Sequence, residues 1–489
     1  MRAVPAPSPM PSPTACRLLP RGAAPSPPPL PRVAAGLDFG TSGARLCVID
    51  RRERCLFESS LRYAHARRQG CRDWERALWE LLGAMPPDLR ARVDALSLCA
   101  TSGSVLWAGR DLRPRGPVLM YHEHREADFP ADHTGPLDGL ARLAWLWNQR
   151  AGPESLHDAL ALHQADWLFA RLRAGGLAQG GISDWHNALK SGADPARCAW
   201  GEVASSQAFA TRLPRIVAPG SRVGRVEPLL ARRLGLPQGL RLVAGTTDAN
   251  AAFLASGADR PGLGLSSLGS TLALKLLSPQ RIDAPQHGVY SHRFGALWLV
   301  SGASRAGGAV LRMLFDDARL RELSTRIDPE ADSPLDLVPL PGMGERFPQA
   351  NPALLPRLEP RPADDVQYLH GLLQALARIE AAGYARLTQL GAPRPDVVLS
   401  SGGGAGNAAW TRLRERALGL PVRAARRTEA AFGAARLALL GTAAFPRTPP
   451  RRKDDAHPAA GGQCCKEMSH CARLGDLADE RHKHSEGSR

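Results

Sequence analysis

Lysine is nearly missing from this chain. It occurs only at Lys190, Lys275, Lys453, Lys466 and Lys483, so arginine supplies almost all of a formal net charge of +16. Aromatic residues are also sparse, at 5%, and the arginines are spread along the sequence rather than gathered beside them. That distribution argues against a nucleic-acid surface and reads as drift towards arginine, with some steering of anionic ligands. No run of about 18 apolar residues occurs, which argues against a membrane-spanning helix. The nine cysteines form no framework. Cys47, Cys55, Cys71, Cys99 and Cys198 lie scattered, mostly in apolar stretches, and read as free thiols of a reducing compartment. Cys464, Cys465, His470 and Cys471 match no standard zinc spacing. The G-x-x-x-x-G-K-[ST] signature of a P-loop is missing too, so any phosphate site must be built differently.

At 489 residues the chain exceeds what one core accommodates, and its 44% hydrophobic content is ordinary for a globular protein. Residues 1–32 are rich in Pro, Ala, Ser and Arg, and no acidic residue precedes Asp38. Such a stretch buries no core and resembles an organelle transit peptide, which would place the protein in the plastid; without cleavage and import it would stay in the cytoplasm. Apolar runs at 33–38 and 45–50 flank a glycine turn and predict a β-hairpin. The periodicity then predicts helices over 74–83, 137–150 and 163–173, and short strands over 95–100 and 105–108. After position 240 the pattern repeats. A strand over 242–246 leads to a helix over 249–256, a hairpin spans 263–277, and a strand over 298–303 leads to a helix over 309–315. One long helix over 364–390, a strand over 396–400 and helices over 408–418 and 428–440 follow. This predicts a duplicated α/β unit with a cleft between its halves: 33–240 and 241–445, with 446–489 a polar, disordered tail.

The chemistry is concentrated in small-residue loops. Asp38-Phe39-Gly40-Thr41-Ser42 sets a carboxylate at a strand end before hydroxylic residues, a combination that suits magnesium and phosphate oxygens and equally suits an ordinary turn. Asp248 is the one carboxylate in an otherwise apolar and hydroxylic loop, Val243–Ala249. It reads as a base for a sugar hydroxyl, or as the N-cap of the helix that follows, where the helix terminus would keep it ionised. Gly269-Ser270-Thr271 offers donors to terminal phosphates, or makes a plain hairpin turn. Gly402–Asn407 opens a helix and suits an anion or the flat face of a nucleoside. Ser102, Glu123 and Arg125 carry groups that suit a polyol, with a solvated loop as the alternative for the last two. Trp185 reads as a core aromatic rather than a sugar platform.

In this order the motifs Asp38-x-Gly40-Thr41-Ser42, Ala244-Gly245-Thr246-Thr247-Asp248, Ser267-Leu268-Gly269-Ser270-Thr271 and Gly402-Gly403-Gly404 resemble those of the FGGY carbohydrate kinases. Within that family the chain is similar to the D-ribulose kinase (xylulose-kinase-like) group of plants and cyanobacteria. The similarity runs from about Val33 to about Gly441 and takes in His163–Leu168, Gly288–Arg293, Gly344–Pro348 and Ala377–Glu380. The chain departs from that group's pattern at Cys99-Ala100, at Tyr121–Arg125, at Ser304–Gly308 and at Gly406, where the group usually has Lys. The resemblance implies two actin-like (ribonuclease H-like) domains closing on ATP and a sugar. It implies Asp248 as base and Asp38 near magnesium. Gly40, Thr41, Ser42, Gly269, Ser270 and Thr271 would surround phosphates, and Gly403, Gly404 and Asn407 would hold the adenosine. Asp38, Ser102 and Asp248 would face the sugar. The implied reaction is transfer of the γ-phosphoryl group of ATP to the terminal hydroxyl of a pentulose, D-ribulose first. Xylulose or another polyol, or an idle nucleotide-binding regulator of the same fold, are the alternatives.

Overall fold

Strand β1 (Val33–Phe39) is buried at all of its positions. A strand that reads apolar on both faces belongs in the middle of a sheet with both sides covered. The computed structural model, which describes residues 33–66, 68–127, 129, 136–149 and 156–446, places it there. The leader 1–32 and the tail from 447, including Cys464, Cys465, His470 and Cys471, lie outside the described residues.

β1 pairs antiparallel with β2 (Gly43–Asp50), and β2 with β3 (Cys55–Arg62). On the other side of β1 lies β4 (Val93–Ala100), parallel to it. The chain returns to this sheet much later as β5 (Arg222–Arg225), β6 (Arg241–Val243) and β7 (Thr246–Thr247), giving the order β5-β6-β4-β1-β2-β3 with β7 also on β4. The expected strand 242–246 is therefore split. Leu242 pairs with Leu96 and Thr246 with Cys99, four residues against three, so the chain bulges between them. At Gly245 a Cβ would lie 1.6 Å from the Leu98 carbonyl oxygen, where only glycine fits.

The second sheet repeats this plan. β8 (Leu263–Leu268) and β9 (Leu272–Ser278) form the hairpin, β10 (Tyr290–Phe294) and β11 (Leu297–Ser304) extend it, and β12 (Val397–Ser401) and β13 (Val422–Ala424) add in parallel beyond β8. In each sheet the first strand of an antiparallel run, β1-β2-β3 in one and β8-β9-β11-β10 in the other, also takes a parallel neighbour. The fold is α/β, two actin-like (ribonuclease H-like) units.

Helices cover the sheets. They include α1 (Cys71–Ala84), α2 (Gln164–Leu172), α3 (Asp248–Ser256), α4 (Gly308–Leu314), α5 (Asp365–Gln389), α6 (Ala408–Leu418) and α7 (Ala430–Leu440). The helix expected from 163 starts one residue later. His163 ends a strand, Ala159–His163, and Asp166 accepts its backbone N–H at 2.9 Å in a capping box. The last helix packs back on the first sheet. A Cβ on Gly36 of β1 would lie 2.1 Å from the Ala431 carbonyl oxygen, and one on Gly433 of α7 would lie 1.9 Å from that of Ala251 in α3. Bare backbone at both positions lets α7 sit directly on β1 and α3. Among the described residues no helix is long and apolar enough to cross a membrane.

Candidate active site

The ends of β1, β4 and β7 stand level. Asp38 pairs with Cys99, and Cys99 with Thr246 on its other side, so Asp38 and Asp248 flank the tip of β4. Burial, then the nearby charge of Asp248, pushes the Asp38 carboxyl up to about 7, with Arg45 opposing. Its neighbours are weak: Arg45 at 3.4 Å and the Cys99 thiol at 3.6 Å. A buried carboxylate so lightly partnered beside a second one is a fit for a cation.

Asp248 is not the N-cap of α3. Thr247 holds that position without a side-chain cap bond, and Asp248 is the first helical residue, its Oδ1 accepting the Ala249 N–H at 2.7 Å. Nor does the helix terminus decide its charge. Burial raises its pKa, and the Ala249 amide, Lys275 and Lys190 only partly offset that. The carboxylate lies deep in the cleft although the residue keeps an open face.

Sequence reasoning missed the cations. Lys275 is buried on β9 and donates to the Ala249 carbonyl at 2.6 Å; burial lowers its own pKa to about 8 against the pull of Asp248. The Lys190 side chain runs past Gly103 towards the same carboxylate. These are the lysines among the described residues, and both bear on Asp248. In a chain that otherwise uses arginine, that rarity was the available signal.

Around Asp248 several buried polar atoms have no partner among the described residues: Ser102 Oγ, Gln164 Nε2, Trp185 Nε1 and Asn250 Oδ1. Contacts link them. Gln164 Oε1 accepts from the Thr101 backbone and hydroxyl, and Asn250 meets His292 at 3.3 Å. His292 packs edge-on against His186, which bonds Thr246 at 2.6 Å and follows Trp185. Buried orphan donors and acceptors mark a place where a polar ligand completes them. Trp185, read as core, is half-buried and opens a short helix, Trp185–Leu189, capped by Asp184. Glu123 and Arg125 are tied to the Ser102 side through Arg142, which donates to the carbonyls of Gly103 and Glu123. They pair with each other at 3.4 Å, and Arg125 lies over the Trp145 ring.

The loops next to the carboxylates are held from behind. Gln69 bonds the carbonyls of Gly40 and Thr41, the Ser42 carbonyl accepts from the Tyr63 amide, and Thr41 Oγ1 donates to Tyr121 at 3.1 Å. At the β8–β9 turn, the carbonyls of Gly269 and Ser270 accept from Gly308 and Ala309 at the start of α4, and Arg312 donates to Ser270 Oγ at 2.9 Å. Thr271 completes that turn, exposed. Beyond it opens a cavity of about 650 Å³ lined by Leu268, Gly308, Leu320, Gly403, Gly404 and Asn407, among others. A Cβ on Gly404 would strike the Trp410 ring at 2.3 Å, whereas Gly403 faces open space. The Asn407 carboxamide is already engaged: it caps α6 by accepting from Trp410 N at 2.9 Å and donates to Ser324 Oγ at 2.8 Å. Lys275 on β9 bonds the helix that begins at Asp248, and the end of β8, at Leu268, borders the cavity.

Solved structures of several sugar and polyol kinases share this two-unit architecture. A xylulose kinase from Brucella ovis shares the fold with a TM-score of 0.74 at 20% identity, covering 86% of this chain and 94% of that one. So do a glycerol kinase from Plasmodium falciparum solved with ADP (0.70, 15%, 83% and 88%) and a gluconate kinase from Lactobacillus acidophilus (0.67, 14%, 83% and 88%). Residues 264–442 match the profile of the FGGY family of carbohydrate kinases, C-terminal domain. Over that stretch the chain carries the C-terminal domain of the FGGY carbohydrate kinases.

Proposed function

We propose that the protein transfers the γ-phosphoryl group of ATP to the terminal hydroxyl of a pentulose, D-ribulose to D-ribulose 5-phosphate, with Asp248 as general base. The observation that carries this reading is the set of unpartnered polar atoms, Ser102 Oγ, Gln164 Nε2, Trp185 Nε1 and Asn250 Oδ1, on the elements around Asp248. A polyol supplies one hydroxyl to each.

Asp248 takes the proton from the terminal hydroxyl as its oxygen bonds to the γ-phosphorus, and the bond to the ADP oxygen breaks. Gly40, Thr41, Ser42, Gly269, Ser270 and Thr271 surround the phosphates, and Gly403, Gly404 and Asn407 border the adenosine. Asp38 holds magnesium, which when bound screens the charge of the phosphate oxygens. Closure of the two halves excludes the water that would otherwise accept the phosphoryl group. Sugar and nucleotide are the partners. We further propose that residues 1–32 direct import into the plastid; fused to a fluorescent protein they should carry it into chloroplasts, and cytosolic fluorescence would refute the assignment.

A coupled ADP-release assay over ketoses and polyols tests the substrate. D-ribulose should give the highest kcat/KM. A higher value for xylulose or another polyol would move the assignment within the family. ADP output that no sugar raises above background would instead mark an idle nucleotide-binding regulator.

A further inference from the structure

The edge of the first sheet holds a group of metal-ligating atoms that phosphoryl transfer does not use. Cys47 on β2 stands opposite Glu58 on β3, and two residues on, Ile49 stands opposite Cys55. In an unbroken antiparallel pair Cys55 would point to the other face from Glu58. The register shift between Val48 and Ile49 leaves Leu56 as the extra residue, and it turns Cys55 to the face of Cys47 and Glu58. Leu56 is 42% exposed, the cost of that turn.

The resulting distances have a meaning. The two sulfurs lie 3.8 Å apart, and Cys47 Sγ lies 3.9 Å from Glu58 Oε1. All three ligand atoms fall within 4.8 Å of one another. A tetrahedral zinc with thiolates at about 2.3 Å has sulfur–sulfur edges of about 3.8 Å. The two thiols therefore already stand at the edge length of a tetrahedral site. A cavity of about 260 Å³ adjoins them, lined by Cys47, Glu58, Arg45 and Glu429, with room for a water or the Glu429 carboxylate as fourth ligand. The competing partner of Glu58 is Arg427, 3.8 Å away on a partly exposed side chain that can swing off.

We propose that Cys47, Cys55 and Glu58 form a binding site for a tetrahedral, thiophilic divalent cation of the zinc class, at the seam between the first sheet and α7. Cys47 packs in that seam against Ala431, Phe432 and Ala435, so occupancy braces the contact between the last helix and the first sheet. Burial holds both thiols above their ordinary pKa, so binding displaces protons and tightens as pH rises.

The test uses the full chain, reduced, with Cys16, Cys464, Cys465 and Cys471 changed to Ser and His457, His470, His482 and His484 to Gln, so that neither terminal thiolates nor imidazoles compete. Titrated with Co²⁺, it should take up one equivalent with a thiolate-to-cobalt band and the visible spectrum of a tetrahedral ion, and Zn²⁺ should raise its Tm. Cys55→Ser, a near-isosteric change at a half-buried position whose metal-free Tm should match the parent's, should weaken binding at least ~10-fold, since even outer-shell changes cost ~10–100-fold. Glu58→Gln should weaken it as well, while Cys198→Ser should leave it unchanged. A titration without the thiolate band, or one whose band and stoichiometry survive in Cys55→Ser, overturns the proposal.

Discussion

Asp248→Asn should lower turnover at least ~10²-fold while leaving ADP affinity nearly unchanged, because general-base assistance is worth roughly 10²–10⁴ in rate. The substitution is conservative where structure is concerned. An amide oxygen still accepts the Ala249 N–H, now made at 2.7 Å, so the start of α3 keeps its geometry. The cavity beside Gly403 and Gly404 is untouched. Loss of the charge also lowers the pKa of Asp38, since the charge of Asp248 is the second cause of its rise to about 7. Asp38 is then more fully ionised, which opposes the loss of the second carboxylate's attraction for a cation. A fall in kcat that excess Mg²⁺ does not reverse would accordingly report the missing base rather than a missing metal. Steady-state ADP release together with calorimetric ADP titration checks both halves of the expectation. Full turnover in the variant would remove Asp248 from the chemistry.

The local signals in the sequence were strong where they rest on backbone freedom. The hairpin around Gly40–Gly43, the β8–β9 hairpin and the glycine run before α6 are each forced by small residues between apolar runs. What the sequence left hidden depends on neighbours distant along the chain. The break between Val243 and Thr246 comes from one extra residue there relative to β4, with the Leu98 carbonyl oxygen 1.6 Å from where a side chain on Gly245 would begin, and nothing near position 245 announces β4. The ionisation of Asp248 was misread for the same reason. The helix terminus is a local feature and burial is not, and burial is the larger effect. Glu123 and Arg125 suit a polyol by residue type, and the fold adds what the sequence does not show, their contacts with each other and with Trp145. Conversely, Asn250 carries no motif that singles it out, and Gln164 lies within His163–Leu168 without a role attached to it. Only the partners they lack make them visible.

Arg414→Leu should destabilise the second unit by about 3–5 kcal/mol, the usual loss when a buried ion pair is broken from one side. Arg414 and Glu380 are 0% and 1% exposed, bonded Nε to Oε2 at 2.6 Å and NH2 to Oε1 at 2.8 Å. Arg414 also donates to Ser400 Oγ at 2.7 Å, and Glu380 accepts from Ser266 Oγ. Ser266 and Ser400 are register partners on β8 and β12. The pair therefore ties α5 and α6 to the two strands that lead into Gly269–Thr271 and Gly402–Asn407. Without the guanidinium, the Glu380 carboxylate keeps its desolvation cost and loses its compensation. For a unit of about 200 residues each kcal/mol moves Tm by roughly 2–4 °C. ATP affinity should fall alongside, because both loops bordering the 650 Å³ cavity lose their common anchor. Pairing the change with Glu380→Met should restore most of the stability, since two apolar side chains leave no charge stranded. Thermal melts of the two single variants and the double variant decide the matter: an Arg414→Leu protein as stable as the parent would mean that the pair contributes shape and no net energy.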